Sequence, residues 1–361
     1  MPSAILRPSM MTTSQPPDYP ENDVLREDEV IERIRRRIPS SARGALRLGI
    51  GDDAAVLRSA SGSEWVLTCD QFIEDVHFLA RLHPPRAVGY KALARATSDI
   101  AAMGARPRVF LLSLALPATL AGAWLDRVTA GMAQAARQFG LTLAGGDIAR
   151  LPKANAATAF SITVIGEIEA RRAIRRDTAR RGDIIFVTGV LGAAQLGLEI
   201  LFRGARGIRP ATLGRLLVPQ FYPEPCLGLG QWLVRRRLAS AMMDLSDGLS
   251  TDLSRLCRAS AVGARIYETE IPGVVIPGEL RRTGYGKKLD TNALALHGGE
   301  DYGLLFTVPA RQASRIPSTF RGTRITRIGE IVRGRGITLV HHKDGRASRL
   351  FPAGWDHFRT K

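Results

Sequence analysis

Six short acidic motifs, most of them flanked by glycine, are spread along the chain. They are Gly51-Asp52-Asp53, Thr68-Cys69-Asp70, Ser98-Asp99, Gly145-Gly146-Asp147, Asp244-Leu245-Ser246-Asp247-Gly248 and Gly298-Gly299-Glu300-Asp301. A carboxylate next to glycine at the end of an apolar segment is typical of a strand end or tight turn, where side-chain and backbone oxygens both reach a ligand. Sites built only from oxygen ligands suit hard cations, above all Mg²⁺ that carries phosphate groups. Each motif alone is equally typical of an ordinary turn, but six together predict a magnesium and phosphate site.

The sequence argues against several other chemistries. The nearest match to a Walker A loop, Gly286-Lys287-Lys288, has Arg281 in place of the first glycine and no hydroxyl residue at its end, so the chain is not a P-loop NTPase. Gly49–Ala54 fits the dinucleotide-binding pattern literally, but no convincing strand precedes it and no helix follows it. Ser246 does not lie in the Gly-x-Ser-x-Gly elbow of a serine hydrolase. The adjacent pair His341-His342 points to two different faces, which argues against a two-histidine metal site.

The cysteines and the apolar segments indicate where the protein works. Cys69, Cys226 and Cys257 show no paired spacing, which argues against a disulfide framework or a thiolate zinc site and favours a reducing cytoplasm. Apolar segments such as Val109–Leu116 are too short to span a bilayer, and no secretion signal opens the chain. We therefore expect a cytoplasmic protein that does not enter a membrane.

The formal net charge of +17 comes almost entirely from arginine. Such a surface suits nucleic acids, anionic metabolites or neither, so the charge alone does not identify a partner. The most basic segment, Arg171–Arg181, lacks the interleaved aromatic residues that would stack on bases. We expect no nucleic-acid partner, and a basic nucleic-acid-binding protein stays the alternative of a different class.

Strand and helix patterns alternate along most of the chain. Residues 1–22 contain five prolines and few apolar residues, which predicts a disordered tail. The spacing of apolar residues predicts helices over Glu27–Ile38, Pro85–Met103, Leu120–Phe139, Ala193–Phe202, Cys226–Arg237 and Leu249–Ala259. It predicts strands over Trp65–Thr68 leading into Asp70, Arg108–Leu116, Leu141–Ala144 leading into Gly145, Phe160–Ile168, Asp183–Thr188, Tyr302–Val308 and Ile325–Ile331. It also predicts a buried segment that ends at Met242–Asp244.

The length of 361 residues favours two domains over one. The basic segment marks the boundary, giving an N-terminal domain over 23–170 and a C-terminal domain over 171–361. The alternation of elements predicts the α/β (α+β) class with two mixed α/β domains.

Longer segments around the acidic motifs have the form of one known family. These segments are Gly49–Leu57, Thr68–Asp70, Glu74–Phe78, Ser98–Ala105, Gly145–Asp147, Asp244–Leu249, Gly298–Tyr302 and Gly354–Phe358. Their residues and their order resemble the thiamine-monophosphate kinases, over about residues 24 to 358. That family belongs to the aminoimidazole-ribonucleotide-synthetase-like superfamily, whose members pair two α/β domains, dimerise through the N-terminal domains and use ATP without a P-loop.

The resemblance implies that the protein transfers the γ-phosphoryl group of ATP to thiamine monophosphate, giving thiamine diphosphate with several Mg²⁺ ions bound. It implies Mg²⁺ contacts from Asp53, Thr68, Cys69, Asp70, Asp99, Asp147, Asp244 and Asp247. It implies ATP contacts from Gly146, Asp147, Arg176 and Ser246, with Arg172 and Arg175 as alternatives to Arg176. It implies contacts to thiamine monophosphate from His77, Glu300 and Trp355, and a direct role in the transfer for Asp70, Asp147 and Asp247.

The chemistry of the two substrates is consistent with these roles. ATP and thiamine monophosphate together carry about five to six negative charges near neutral pH, so bringing them together requires cations held by acidic side chains. The attacking phosphate oxygen is already anionic and needs no strong base. The positive thiazolium ring suits the indole face of Trp355.

The sequence departs from the usual family pattern at Cys69, where a second threonine is common, and at Asp75 and Gly303. The alternatives within the superfamily are a selenophosphate synthetase, a hydrogenase-maturation dehydratase and aminoimidazole ribonucleotide synthetase itself. The first two commonly need a cysteine in segments where this chain has none, 1–68 and 258–361. The third is disfavoured by the segments Glu74–Phe78 and Gly354–Phe358.

Overall fold

A computed structural model describes Glu29 and residues 31–32, 45–59, 62–204, 206–342 and 345–358. The predicted tail over 1–22 lies outside the described residues, as does most of the predicted helix Glu27–Ile38. The N-terminal half of the chain, from residue 46 onward, forms a six-stranded first sheet and two α-helices. Their bounds are β1 Leu46–Leu48, β2 Ala55–Arg58, β3 Ser63–Ile73, α1 Pro85–Ala102, β4 Arg106–Pro117, α2 Ala123–Phe139, β5 Thr142–Leu151 and β6 Ala159–Glu169.

The strands of the first sheet lie in the order β1-β2-β3-β6-β4-β5. β4 and β5 pair in parallel, and the other neighbours pair antiparallel. α1 begins with prolines at its N-terminus, whose fixed φ suits the first turn. α2 ends at Gly140, which adopts the left-handed conformation with φ of 72°.

The second sheet has eight strands and belongs to the C-terminal half of the chain. The bounds of its strands and helices are β7 Asp183–Thr188, α3 Ala193–Arg203, α4 Pro210–Phe221, α5 Leu227–Arg236, β8 Ala241–Asp244, α6 Leu249–Ala259, β9 Gly263–Tyr267, α7 Gly278–Arg281, α8 Thr291–His297, β10 Leu304–Pro309, β11 Thr319–Phe320, β12 Thr323–Val332, β13 Gly336–Val340 and β14 Ala347–Leu350. The order is β14-β13-β9-β12-β7-β10-β8, and β11 pairs with β12.

Helix α1 connects the packing of the two halves. Most of its residues are buried and pack in the core of the first sheet, where Phe72, Phe78 and Phe160 meet ring against ring. Its last turn, at Ala101 and Ala102, belongs instead to a cluster with α5 and the second sheet. Both halves lie in one compact unit, Ser40–Trp355. Burial on all sides fixes the helix rigidly, so side chains along it are held at defined positions between the sheets.

The predicted fold class of two mixed α/β domains is confirmed, whereas the boundary between residues 170 and 171 stays a prediction. The strand over Asp183–Thr188 and the helix over Leu249–Ala259 have the predicted bounds. α4 was not predicted, and Pro219 lies inside it. Two strand ends were wrong, because β3 continues past Asp70 and β5 runs through Gly145-Gly146-Asp147.

Candidate active site

Three aspartates from distant parts of the chain come together between the two sheets. Asp53 precedes β2, Asp99 lies on α1 and Asp244 is the last residue of β8. Each offers a carboxylate oxygen, and the three oxygens lie within 4.8 Å of one another. The cluster therefore draws two residues from the N-terminal half and one from the C-terminal half.

Burial makes this cluster electrostatically costly without a cation. Burial and the neighbouring Asp53 carboxylate raise the pKa of Asp244 to about 7. Burial and the Asp244 charge raise the pKa of Asp99 well above its usual range. Burial also raises the pKa of Asp53, against the opposing charge of Arg176. Like charges in a low-dielectric site favour either protonation or the binding of a cation.

The donor atoms of the cluster fit a hard divalent cation such as Mg²⁺. All three groups present oxygen, the ligand type that Mg²⁺ prefers. The Oδ2 atom of Asp53 is buried and accepts no hydrogen bond from the described part of the chain, as expected for an atom that binds a ligand. The hydroxyl of Thr68 on β3 donates a hydrogen bond to Asp99 Oδ2. Thr68 thus holds the Asp99 carboxylate in place.

Arg176 is anchored to this cluster through two adjacent aspartates. Its guanidinium donates to Asp53 Oδ1, and its Nε lies 3.5 Å from Asp52 Oδ1. Asp52 Oδ2 accepts the backbone N–H of Arg176 at 3.1 Å, while Asp52 Oδ1 accepts that of Asp53 at 2.9 Å. Asp52 therefore fixes the backbone at Arg176 against the loop that precedes β2, while Asp53 faces the cluster.

Two further predicted metal ligands form ion pairs with arginine. Arg95 on α1 makes a two-pronged contact with Asp70, with Nε to Oδ2 at 2.7 Å and Nη2 to Oδ1 at 2.9 Å. Arg255 on α6 donates to Asp247 Oδ2, and its Nη1 lies 3.6 Å from Asp252 Oδ1. The structure thus brings Asp70 and Asp247 to the neighbourhood of the site, but each is neutralised by a guanidinium.

Strand alternation separates Cys69 and Asp147 from the cluster. Thr68 and Asp70 face α1, so Cys69 faces the opposite side of the first sheet, where its Sγ lies 3.5 Å from Ser161 Oγ. Ser161 pairs with Ser113, which pairs in turn with Asp147 on β5. Both side chains are exposed on that face, so their predicted metal contacts are not brought to the three-carboxylate cluster.

Gly146 on β5 packs directly against the backbone of β4. A Cβ atom there would lie 1.8 Å from the carbonyl oxygen of Leu112. No side chain fits this space, so glycine is required by strand packing alone. Its predicted contact to ATP stays a prediction.

The predicted ATP residue Ser246 and two predicted substrate residues meet at the start of α6. The carbonyl oxygen of Ser246 accepts the backbone N–H of Glu300 at 2.7 Å, and that of Asp247 accepts the N–H of Trp355 at 3.0 Å. A Cβ at Gly354 would lie 1.8 Å from Asp247 O. The backbone therefore ties both segments to the Asp244–Gly248 motif.

The third predicted substrate residue, His77, lies in the turn after β3. Its Nδ1 accepts the backbone N–H of Ile73 at 2.9 Å, and its ring stacks on Phe72 with 5.8 Å between centroids. The guanidinium of Arg95 lies 5.7 Å from the centroid of the same Phe72 ring. Phe72 thus links the histidine to the arginine that holds Asp70.

Sequence reasoning missed the basic residues that hold the acidic ones. Lys91 on α1 forms an ion pair with Glu300, with 2.7 Å between Nζ and Oε1, one turn before Arg95. Lys91, Arg95 and Asp99 follow at intervals of four residues, which places them on one face of the predicted helix. That spacing was a usable signal.

Known proteins match this chain over the segments that carry the acidic motifs. Residues 51–168 match the family model described as AIR synthase related protein, N-terminal domain, and residues 180–342 match the model for its C-terminal domain. The thiamine-monophosphate kinase of Escherichia coli (strain K12) is 34% identical over 337 residues, which cover 92% of this chain and 98% of that protein. The chain belongs to the thiamine-monophosphate kinase family.

Other members of the family match over a similar extent. The thiamine-monophosphate kinase of Synechococcus elongatus is 32% identical, with coverage of 86% of this chain and 91% of that protein. The solved structure of AaThiL complexed with AMPPCP and TMP has a TM-score of 0.77 at 31% identity and covers 92% of this chain and 97% of that one. The thiamine-monophosphate kinase structure from Stenotrophomonas maltophilia K279a has a TM-score of 0.69 at 35% identity, with 88% and 96% covered. The family resemblance noted in the sequence is confirmed.

Among the described residues, no helix is both long enough and apolar enough to cross a bilayer.

Proposed function

We propose that this protein transfers the γ-phosphoryl group of ATP to the phosphate of thiamine monophosphate. A phosphate oxygen of the acceptor forms a bond to the γ-phosphorus, the bond from that phosphorus to the β,γ-bridging oxygen breaks, and thiamine diphosphate and ADP result. Membership of the family supports this reaction, as does the structure of a relative complexed with AMPPCP and TMP. The observation that carries it in this chain is the oxygen cluster of Asp53, Asp99 and Asp244.

Mg²⁺ would be held first by the three clustered aspartates, with Thr68 supporting Asp99. When bound, the ions neutralise the phosphates and polarise the γ-phosphoryl group. We propose that Asp70 and Asp247 complete this metal shell. The metal contacts implied for Asp147 and Cys69 stay predictions, because both side chains lie on the other face of the first sheet. These four assignments rest on the family pattern.

The arginines and polar groups around the cluster would bind and orient the substrates. Arg176 is 17% exposed and is fixed beside Asp53, so it is well placed to contact an ATP phosphate, with Ser246 and Gly146 as further ATP contacts. We propose that His77, Glu300 and Trp355 line the thiamine end. Trp355 is 41% exposed, which leaves indole surface for a cationic ring.

The reaction is tested by incubating purified protein with ATP, Mg²⁺ and thiamine monophosphate and measuring thiamine diphosphate. We expect stoichiometric ADP and thiamine diphosphate, and no product when thiamine replaces its monophosphate. Product from thiamine, or none from thiamine monophosphate, would refute the proposed reaction. For a direct role of Asp70, the Asp70→Asn variant should lose at least about tenfold in turnover, or about 1.4 kcal/mol of barrier lowering.

The metal site has a test that does not depend on activity. Adding Mg²⁺ alone should raise the melting temperature of the wild type, because an ion that binds only the folded chain stabilises it. The Asp53→Asn variant should lose most of this shift, and the exposed control Asp126→Asn should keep it. An equal shift in both variants would place the cation elsewhere.

We also propose that the protein is a homodimer formed through the first sheet. Its edge strand β5 exposes Leu143 by 54% and Ile148 by 64%, and Leu111 on β4 is 39% exposed. A long apolar edge of this kind needs a cover in solution. Light scattering should give twice the mass of one chain, and Leu143→Lys with Ile148→Lys should give the monomer. The location in the cytoplasm stays a prediction.

A further inference from the structure

The loop that carries Glu300 has a strained backbone at two positions. Glu300 has φ of 68° and Tyr302 has φ of 47°, both in the left-handed region that costs non-glycine residues about 1 kcal/mol or more. The loop is held there by the bond from Glu300 N to Ser246 O at 2.7 Å and by that from Tyr302 N to Leu245 O at 2.8 Å. The position of the Glu300 Cα is therefore dictated by its surroundings, as is common where a side chain must be aimed.

The carboxylate of Glu300 is held by a closed set of three side chains. Lys91 Nζ lies 2.7 Å from Oε1, and Gln220 Nε2 donates to Oε2 at 2.8 Å. Lys91 Nζ also donates to Gln220 Oε1. Each carboxylate oxygen thus has one fixed donor and keeps lone pairs for another group.

Of these three side chains, only that of Glu300 reaches solvent. The Lys91 side chain is 1% exposed and Gln220 is fully buried, whereas the Glu300 side chain is 22% exposed. Burial alone would raise the pKa of Glu300, but the charge and hydrogen bond of Lys91 outweigh it and lower the pKa. Glu300 therefore stays ionised and faces outward, while its two partners stay behind it.

The three residues come from three separate elements. Lys91 lies on α1, Gln220 on α4, and Glu300 in the loop before β10. A buried lysine costs solvation energy that a purely structural role would avoid with an apolar residue. A role in fixing the orientation of the Glu300 carboxylate accounts for the buried position of Lys91.

We propose that Lys91, assisted by Gln220, is a positioning residue that aims the Glu300 carboxylate at the cationic ring system of thiamine monophosphate, away from its phosphate. This inference rests on the proposed function, because it takes Glu300 as a contact to that substrate. A fixed carboxylate repels the phosphates and attracts the positively charged end, so it sets which way round the acceptor binds. Lys91 acts through Glu300 and touches no reacting atom.

The test is a double-mutant cycle with Lys91→Met and Glu300→Gln, assayed for turnover of thiamine monophosphate. Lys91→Met should raise the KM for thiamine monophosphate about tenfold while the KM for ATP changes less than about twofold. In the Glu300→Gln background, Lys91→Met should add little further change in KM, since its effect passes through that carboxylate. The matched control is the exposed Lys288→Met, which should behave as wild type.

If Lys91→Met does not fold, a second variant still tests the inference. Gln220→Leu keeps the Lys91 charge but removes the second donor to Glu300 and the amide oxygen that accepts from Lys91. It should raise the same KM by a smaller factor. The double variant removes the unpaired buried charge and should melt higher than Lys91→Met alone. A KM for thiamine monophosphate within twofold of wild type in folded Lys91→Met or Gln220→Leu would overturn the inference, as would equal rises in the KM of both substrates. A wild type without turnover would instead overturn the proposed function.

Discussion

His83 lies two residues before the start of α1, and its titration tests how strongly burial and the Lys91 charge act on it. The side chain is 3% exposed. Its Nδ1 accepts the backbone N–H of Leu79 at 3.1 Å, and its Nε2 has no hydrogen-bond partner among the residues described. Burial and the Lys91 charge lower the pKa of His83 to about 4. The folded protein therefore holds this imidazole neutral.

The direction of the pH effect follows from proton binding in the two states. Between the folded pKa of about 4 and the ordinary value of 6.5, the unfolded chain binds a proton that the folded chain does not. Stability therefore falls as the pH decreases through this window. At 1.36 kcal/mol per pKa unit, His83 alone makes the protein about 2 kcal/mol less stable at pH 5 than at pH 8.

The variant His83→Asn isolates this effect. The asparagine oxygen occupies nearly the position of Nδ1 and can accept the Leu79 N–H, but it does not titrate. Urea unfolding at both pH values should show that the wild type loses about 2 kcal/mol more than His83→Asn on acidification, since the other titrating groups are shared. The exposed His342→Asn control should follow the wild type. Equal losses in wild type and His83→Asn would show that His83 is not held neutral by its surroundings.

Two further predictions concern glycine packing and helix capping. Gly146→Ala should destabilise the protein by at least about 2 kcal/mol, because the new Cβ would meet Leu112 O. The control Gly284→Ala should be nearly neutral, because no described atom lies within 4 Å of a Cβ there. Equal melting temperatures of the two variants would contradict this prediction. Asp301 accepts the backbone N–H of Gly192 at 2.7 Å at the start of α3, so Asp301→Ala should cost about 2 kcal/mol and Asp301→Asn clearly less, measured by urea unfolding. An Asp301→Ala variant as stable as wild type would rule out the capping role.

The roles of individual acidic residues illustrate the limit of motif reading. Glu300 and Asp301 are adjacent in one motif, yet the first faces the site and the second accepts hydrogen bonds at the start of α3. Asp52 and Asp53 divide in a similar way, with Asp52 bonded to the Arg176 backbone and Asp53 facing the cluster. No local pattern distinguishes such neighbours, because the difference depends on which distant group reaches each carboxylate.

The sequence alone determined the fold class, the family and most of the helices and strands. Local apolar spacing encodes a strand or helix without reference to distant residues, so β7 and α6 were predicted with their observed bounds. The same holds for the family motifs, which are contiguous in the chain. Only the tertiary structure decided which groups meet: Asp53, Asp99 and Asp244 close one cluster, Asp147 lies on the other face of its sheet, and Lys91 reaches Glu300. Those outcomes depend on strand register and on the packing of α1 between the sheets. A shift of one residue in strand register alone would exchange the two faces of a sheet.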